Sequence, residues 1–285
     1  MLAARAREGF TLVELTVSTA MMLLVSGAVY QTLTLTQRLT SAQIQQVQVQ
    51  SSVRSAALVL ASEFRPLGAG LGSSGSESDL VSIAPSAVIY RAERGFGVLC
   101  QSAGSNRLRL SRLSFSGHRD PQAGRDSASV FVEGDPASTA DDIWLPVAIA
   151  AVGAGSCAGG ENPGIDLTVS ASAALEGLPP GTPVRIHELV ELRLYRSESR
   201  SRLGMRSVSS SENIQPLSGP LRDGDGLRLE YLGAAGRPTG VRSEVRSIRL
   251  FLQGESEETA NFGAHLGEPV AETLSTQVGL RNALR

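Results

Sequence analysis

Residues 10–37 carry a single charge. They read FTLVELTVSTAMMLLVSGAVYQTLTLTQ, 28 residues in which only Glu14 interrupts an uncharged, largely apolar run. About 20 such residues at ~1.5 Å each cross a hydrocarbon core as a helix. The Ser and Thr hydroxyls cost little there, because each can bond back to a carbonyl of the preceding turn. An acid at the helix centre costs about 2.5–3.5 kcal/mol on insertion scales and less near an end. A membrane helix with a carboxylate near its start is therefore the feature that any fold must accommodate.

Three readings compete for this segment. A cleaved secretory signal has Arg5 and Arg7 before it and the small residues Ser26, Gly27 and Ala28 within it, but signals avoid charge in the apolar stretch. A plain signal anchor tolerates Glu14 on energy alone. The third uses more of the residues. If the chain is cut between Gly9 and Phe10, the new amine lies one turn from Glu14. In an assembly, the carboxylate of one subunit then pairs with the amine of another, and in lipid that pairing is strong and sets axial register.

The helical pattern continues past the membrane edge. Residues 38–65 contain no Gly and no Pro, and Leu39, Ala42, Val49, Val53, Ala56, Leu60 and Phe64 form an apolar stripe. The other face carries Gln43, Gln45, Gln48 and Gln50, where a solvated helix would carry ion pairs. One helix from Phe10 to Phe64 is expected, ended by Pro66 and the glycines from Gly68 to Gly75. The rival is a second, separate helix that belongs only to the head.

Beyond residue 75, short apolar segments alternate with arginine or glutamate at a period of two. Strands are expected around Leu108–Leu110, Val130–Val132, Ile143–Leu145, Leu167–Val169, Leu189–Tyr195, Leu227–Tyr231 and Val245–Leu252, with turns at Pro179–Gly181, Asp223–Gly226 and Gly233–Gly240. Alternation of this kind marks a half-solvated antiparallel sheet. The expected fold is α+β: a long N-terminal helix, membrane-embedded in its first half and amphipathic in its second, packed on an antiparallel β-sheet head.

Gly9-Phe10-Thr11-Leu12-Val13-Glu14-Leu15 resembles the processing motif of type IV pilins and type II secretion pseudopilins. The segments at 52–68, 225–231, 245–250 and 274–282 are similar to those of PilW-type minor pilins and of the related J-type minor pseudopilins. The resemblance implies a leader at residues 1–9 removed by a prepilin peptidase, and N-methylation of Phe10. It also implies a transmembrane and assembly helix at 10–37, its amphipathic continuation at 38–65, and a periplasmic β-rich head at 66–285. Glu14 is then the assembly carboxylate. The implied partners are the peptidase, other major and minor pilins, and the inner-membrane assembly platform. The implied role is priming, or the tip, of a type IV pilus. The alternatives are a minor pseudopilin of a type II secretion system and, from another class, a signal-anchored exported binding protein or enzyme.

The remaining chemistry is thin. All 26 basic residues are arginine, which excludes P-loop, Schiff-base and kinase lysines. His118-Arg119-Asp120 lacks the other kinase parts. Asp223-Gly-Asp225-Gly226 lacks the further ligands of a calcium loop. Gly68-Ala-Gly70-Leu-Gly72 follows a helix and has the wrong spacing for a dinucleotide. His118, His187 and His265 have no partners at zinc-like spacing. No enzyme activity, cofactor or metal is expected, and a net charge of −2 gives no general attraction to nucleic acid. Cys100 and Cys157 form one bridge if the head is exported, or stay as two buried thiols if it is not.

Overall fold

The computed structural model describes residues 9–68, 78–135, 137–138, 142–157, 162–259 and 267–281. Residues 1–8 of the expected leader, the glycine run at 69–77, His265 and Asn282 lie outside the described residues.

Helix α1 (Leu12–Phe64) is continuous over 53 residues, about 80 Å at the usual rise. Gly27 does not break it, so the two-helix alternative is wrong. Thr11 caps it with an extended backbone, its side chain accepting a bond from the Glu14 N–H. The hydroxyls behave as their positions demand: Thr16, Thr19, Thr32 and Thr36 donate to the carbonyls of Val13, Leu15, Ala28 and Thr32.

Among the described residues thirteen strands follow, and every named strand pair is antiparallel. The head has two parts that share the two longest strands, β2 (Ala87–Ser102) and β8 (Pro183–Ser197). In the part remote from the helix, the second half of β2 pairs with β3 (Arg107–Ser111), and β3 with β7 (Pro163–Val169). Next β7 pairs with β6 (Ile143–Ser156), β6 with β5 (Asp126–Val132), and β5 with the first half of β8. The register Val98↔Pro183 to Ala87↔Arg193 joins β8 back to β2. Six strands thus close into a barrel, which removes most sheet edges. Its interior is filled by alternate residues such as Leu108, Leu110, Val130, Leu167, Val184 and Ile186. A two-residue strand, β4 (Ser116–Gly117), leans on β2 outside it.

The part next to the helix is an open, curled sheet. It runs from β1 (Leu80–Ala84) through the first half of β2 and the second half of β8 to β9 (Arg200–Ser207) and β10 (Gln215–Leu221). Beyond β10 lies β12 (Ser247–Thr259), flanked by β11 (Leu227–Leu232) and β13 (Pro269–Gly279). Gly68, just past the helix, bridges Arg281 and accepts from the Asp79 N–H, so it draws the sheet's two margins together. The helix fills the curl with Val53, Ala56, Leu60 and Phe64. Its approach to β12 is closest at Gly254, where an added Cβ would stand 2.5 Å from a Val53 methyl.

The expected strand centres all lie in strands, although the last begins at Ser247 rather than Val245. The expected α+β arrangement of a long helix and an antiparallel sheet is present, and part of that sheet closes into a barrel that the strand pattern did not anticipate. β1, β2, β4, β9, β10 and β13 have no counterpart among the expected strands. The apolar stripe is also shorter than its sequence: Leu39 is exposed and Ala42 only half-buried, and burial begins at Val49. Among the described residues no strand reaches back far enough to cover the earlier positions.

Candidate functional site

The structure offers two candidate sites, the bare half of the helix and the charged waist of the head. Phe10, Leu12, Val13, Leu15, Val17 and Met21 to Val25 are all exposed by more than half of their surface. The segment is long and apolar enough to cross a membrane and none of it is buried in the head. A helix apolar on every side needs lipid or other helices around it. Gly9 and Phe10 stand just before its first turn, in non-helical backbone.

Glu14 lies in that first turn, exposed, and makes no ion pair to the described residues. Its N–H donates to Thr11 Oγ1 at 3.2 Å, and the Thr11 hydroxyl reaches Glu14 Oε2 at 3.4 Å. Thr-x-x-Glu is the capping-box sequence; here the Thr11 side chain satisfies the Glu14 N–H, and the carboxylate takes the Thr11 hydroxyl. The pattern was visible in the sequence and was missed there. It gives Glu14 a local role that needs no second subunit.

At the waist, the buried Glu188 of β8 lies side by side with its ladder partners, Asp126 on β5 and Ala92 on β2. Glu188 and Asp126 are both 2% exposed. Glu188 receives Arg94 Nε at 2.9 Å, Arg125 Nε at 2.6 Å and Arg119 at 3.3 Å, and Asp126 takes Arg119 through both guanidinium nitrogens. The bulge between Glu93 and Gly95 interrupts the β2–β8 register where Arg94 enters. Arg94 also faces Glu63 of the last helical turn at 3.7 Å, and Tyr90 donates to that carboxylate at 2.9 Å. Burial works to raise the Glu188 carboxyl, but the Arg94 and Arg125 guanidiniums outweigh it and hold it below its usual range. Every acid here has a cation, so the cluster ties the helix end to the barrel and leaves no general base free.

Cys100 and Cys157 are joined by a disulfide. The bridge spans β3 and β7, near Arg109, which binds Asp166 through two nitrogens and donates to the Ser156 carbonyl at 2.6 Å. That hydrogen bond holds the Asp166 carboxyl below its usual range. The other residues singled out in the sequence stay scattered. His118 lies in a bend, and Arg119 and Asp120 turn to Asp126 and Arg112. Asp223 and Asp225 sit in the turn before β11, near Arg196 and Arg222. His187 lies on β8, remote in sequence from His118, and burial pushes its imidazole down to about 4. Among the described residues, no group of three or more His, Cys, Asp or Glu is placed to hold a metal.

The α+β fold, the apolar N-terminal helix and the disulfide are thus established. Comparison with protein-family models, curated proteins and solved structures finds no match.

Proposed function

We propose that this chain is a fibre subunit of the type IV pilin kind, a minor pilin made as a precursor and cut between Gly9 and Phe10. The new Phe10 amine is methylated, residues 10–37 hold the chain in the inner membrane, and the head stands in the periplasm. On assembly the bare helix leaves lipid for a bundle of like helices, and Glu14 takes the Phe10 amine of a neighbour. The chain acts by packing and has no catalytic role. The observation that carries this reading is a helix exposed at every position from Leu12 to Leu33, opened by the Gly9-Phe10 motif and Glu14.

The capping box supports a second reading, a signal-anchored exported protein in which Glu14 serves its own helix. Glu14→Gln separates the two, because glutamine also completes a capping box but carries no charge to pair with an amine. A fibre subunit with Glu14→Gln is expected to be cut normally and to lose assembly, scored as surface fibres or as secretion. Wild-type assembly in Glu14→Gln would leave capping as the only role for this acid.

A further inference from the structure

A groove of about 710 Å³ opens where the helix leaves the head. One wall is helical, with Ile44, Gln45, Gln48 and Ser52, and the other is formed by Pro220, Glu257 and Glu258 at the ends of β10 and β12. The helical wall is neutral, since no residue between Arg38 and Arg54 is charged. The facing wall carries two acids, Glu257 and Glu258. Arg200 and Arg202 engage the carbonyl and the carboxylate of Glu257. Glu258 has no ion pair among the described residues, and its side chain is exposed. The Gln45 Oε1 atom is buried without a hydrogen-bond donor among them. The glutamine face is therefore not an ordinary solvent face, and its unusual lack of charge has a structural counterpart in this groove.

We infer that the groove seats an arginine or lysine side chain of a different, neighbouring subunit. The inference rests on the fibre-subunit reading. A buried acceptor with no donor is costly, and Glu258, which lines the same groove, has no cation among the described residues to meet it. A guanidinium or ammonium group answers both, since it offers several donors and one positive charge. Ile44 and Pro220 supply apolar surface for its stem. The groove opens beside the bare helix, so a subunit packed against that helix lies next to it. An anionic lipid headgroup would meet like charge there.

The test uses the full chain in its native cell. Glu257→Arg with Glu258→Arg places two cations in the groove, and Glu258→Gln removes one charge with little change in bulk. Both sites are exposed, and mature protein level and N-terminal processing are measured alongside assembly. The double reversal is expected to lower assembly more than about tenfold at normal level and processing, and Glu258→Gln to lower it severalfold. Suppressors are then selected. Arginine or lysine changed to an acid in another subunit supports the inference. Restoration only through Arg38, Arg54 or Arg65 of this chain makes the occupant a second copy and overturns it, as does unchanged assembly in the double reversal. Glu14→Gln run in parallel separates the two readings. If it abolishes assembly while the double reversal does not, the groove inference fails and the fibre reading stands. If neither variant affects assembly, both fail.

Discussion

The two halves of α1 are one unbroken helix with opposite surroundings. No residue before Val49 is buried, whereas Val49, Val53, Ala56, Ala57, Leu60 and Phe64 are. The docked half carries apolar residues three and four apart, which is what one wall of a core requires. The membrane-length stretch of the other half carries only Glu14 as a charge, and the head covers none of it. A continuous helix that changes partner midway separates two tasks. Its last turns complete the head's core, and its first turns remain for lipid or other helices.

The largest expected effect sets the halves directly against each other. Phe64 is fully buried and meets Tyr90 edge-to-face at 5.6 Å, so Phe64→Ala should cost the head about 3–5 kcal/mol. Leu23→Ala should leave head stability unchanged, because Leu23 touches none of it. Denaturation of both in detergent checks this, and a similar loss for the two would erase the distinction.

Next comes the disulfide. Closing a loop of sequence separation 57 stabilises by about 2–4 kcal/mol in the chain-entropy picture. Cys100→Ser with Cys157→Ser should lower hydrogen-exchange protection in β3, β6 and β7 more than in the docked turns of α1. Loss of the helix dock first would show that the barrel and the dock are a single unit.

Acid should give a smaller effect, also on the barrel side. Burial, then Arg91, pushes His187 down to about 4, against the pull of Asp79, and Arg185 adds to the push. The unfolded histidine protonates near 6.5, so from about pH 6.5 to 4 the unfolded chain binds a proton that the folded chain refuses. Stability is then fully present above 6.5 and falls with acidification, at up to about 1.4 kcal/mol per pH unit. His187→Gln should flatten that slope in thermal melts. An unchanged slope would place the acid sensitivity elsewhere.

The helix was legible because its signals are local. Its expected start at Phe10 and end at Phe64 differ from Leu12–Phe64 by two residues. The central strands were legible wherever branched or aromatic residues alternate with charge. β10 was hidden by Pro216, Gly219 and Pro220, β13 by its polar run from Glu272 to Gln277, and β2 by Gly95 and Gly97. Barrel closure was not legible, because it depends on β2 meeting β8 at pairs such as Val98↔Pro183, far apart in sequence. The waist needed the fold as well, since Glu63, Arg94, Asp126 and Glu188 come from four elements. The capping box around Glu14 needed only the sequence.

The central claim is that the first nine residues are removed to expose an amine at Phe10, and mass measurement of the mature N-terminus tests it most directly. The account predicts a chain beginning at Phe10 and carrying one methyl group on its amine. A mature chain that retains Met1 to Gly9, or that begins near Ala28, would contradict it.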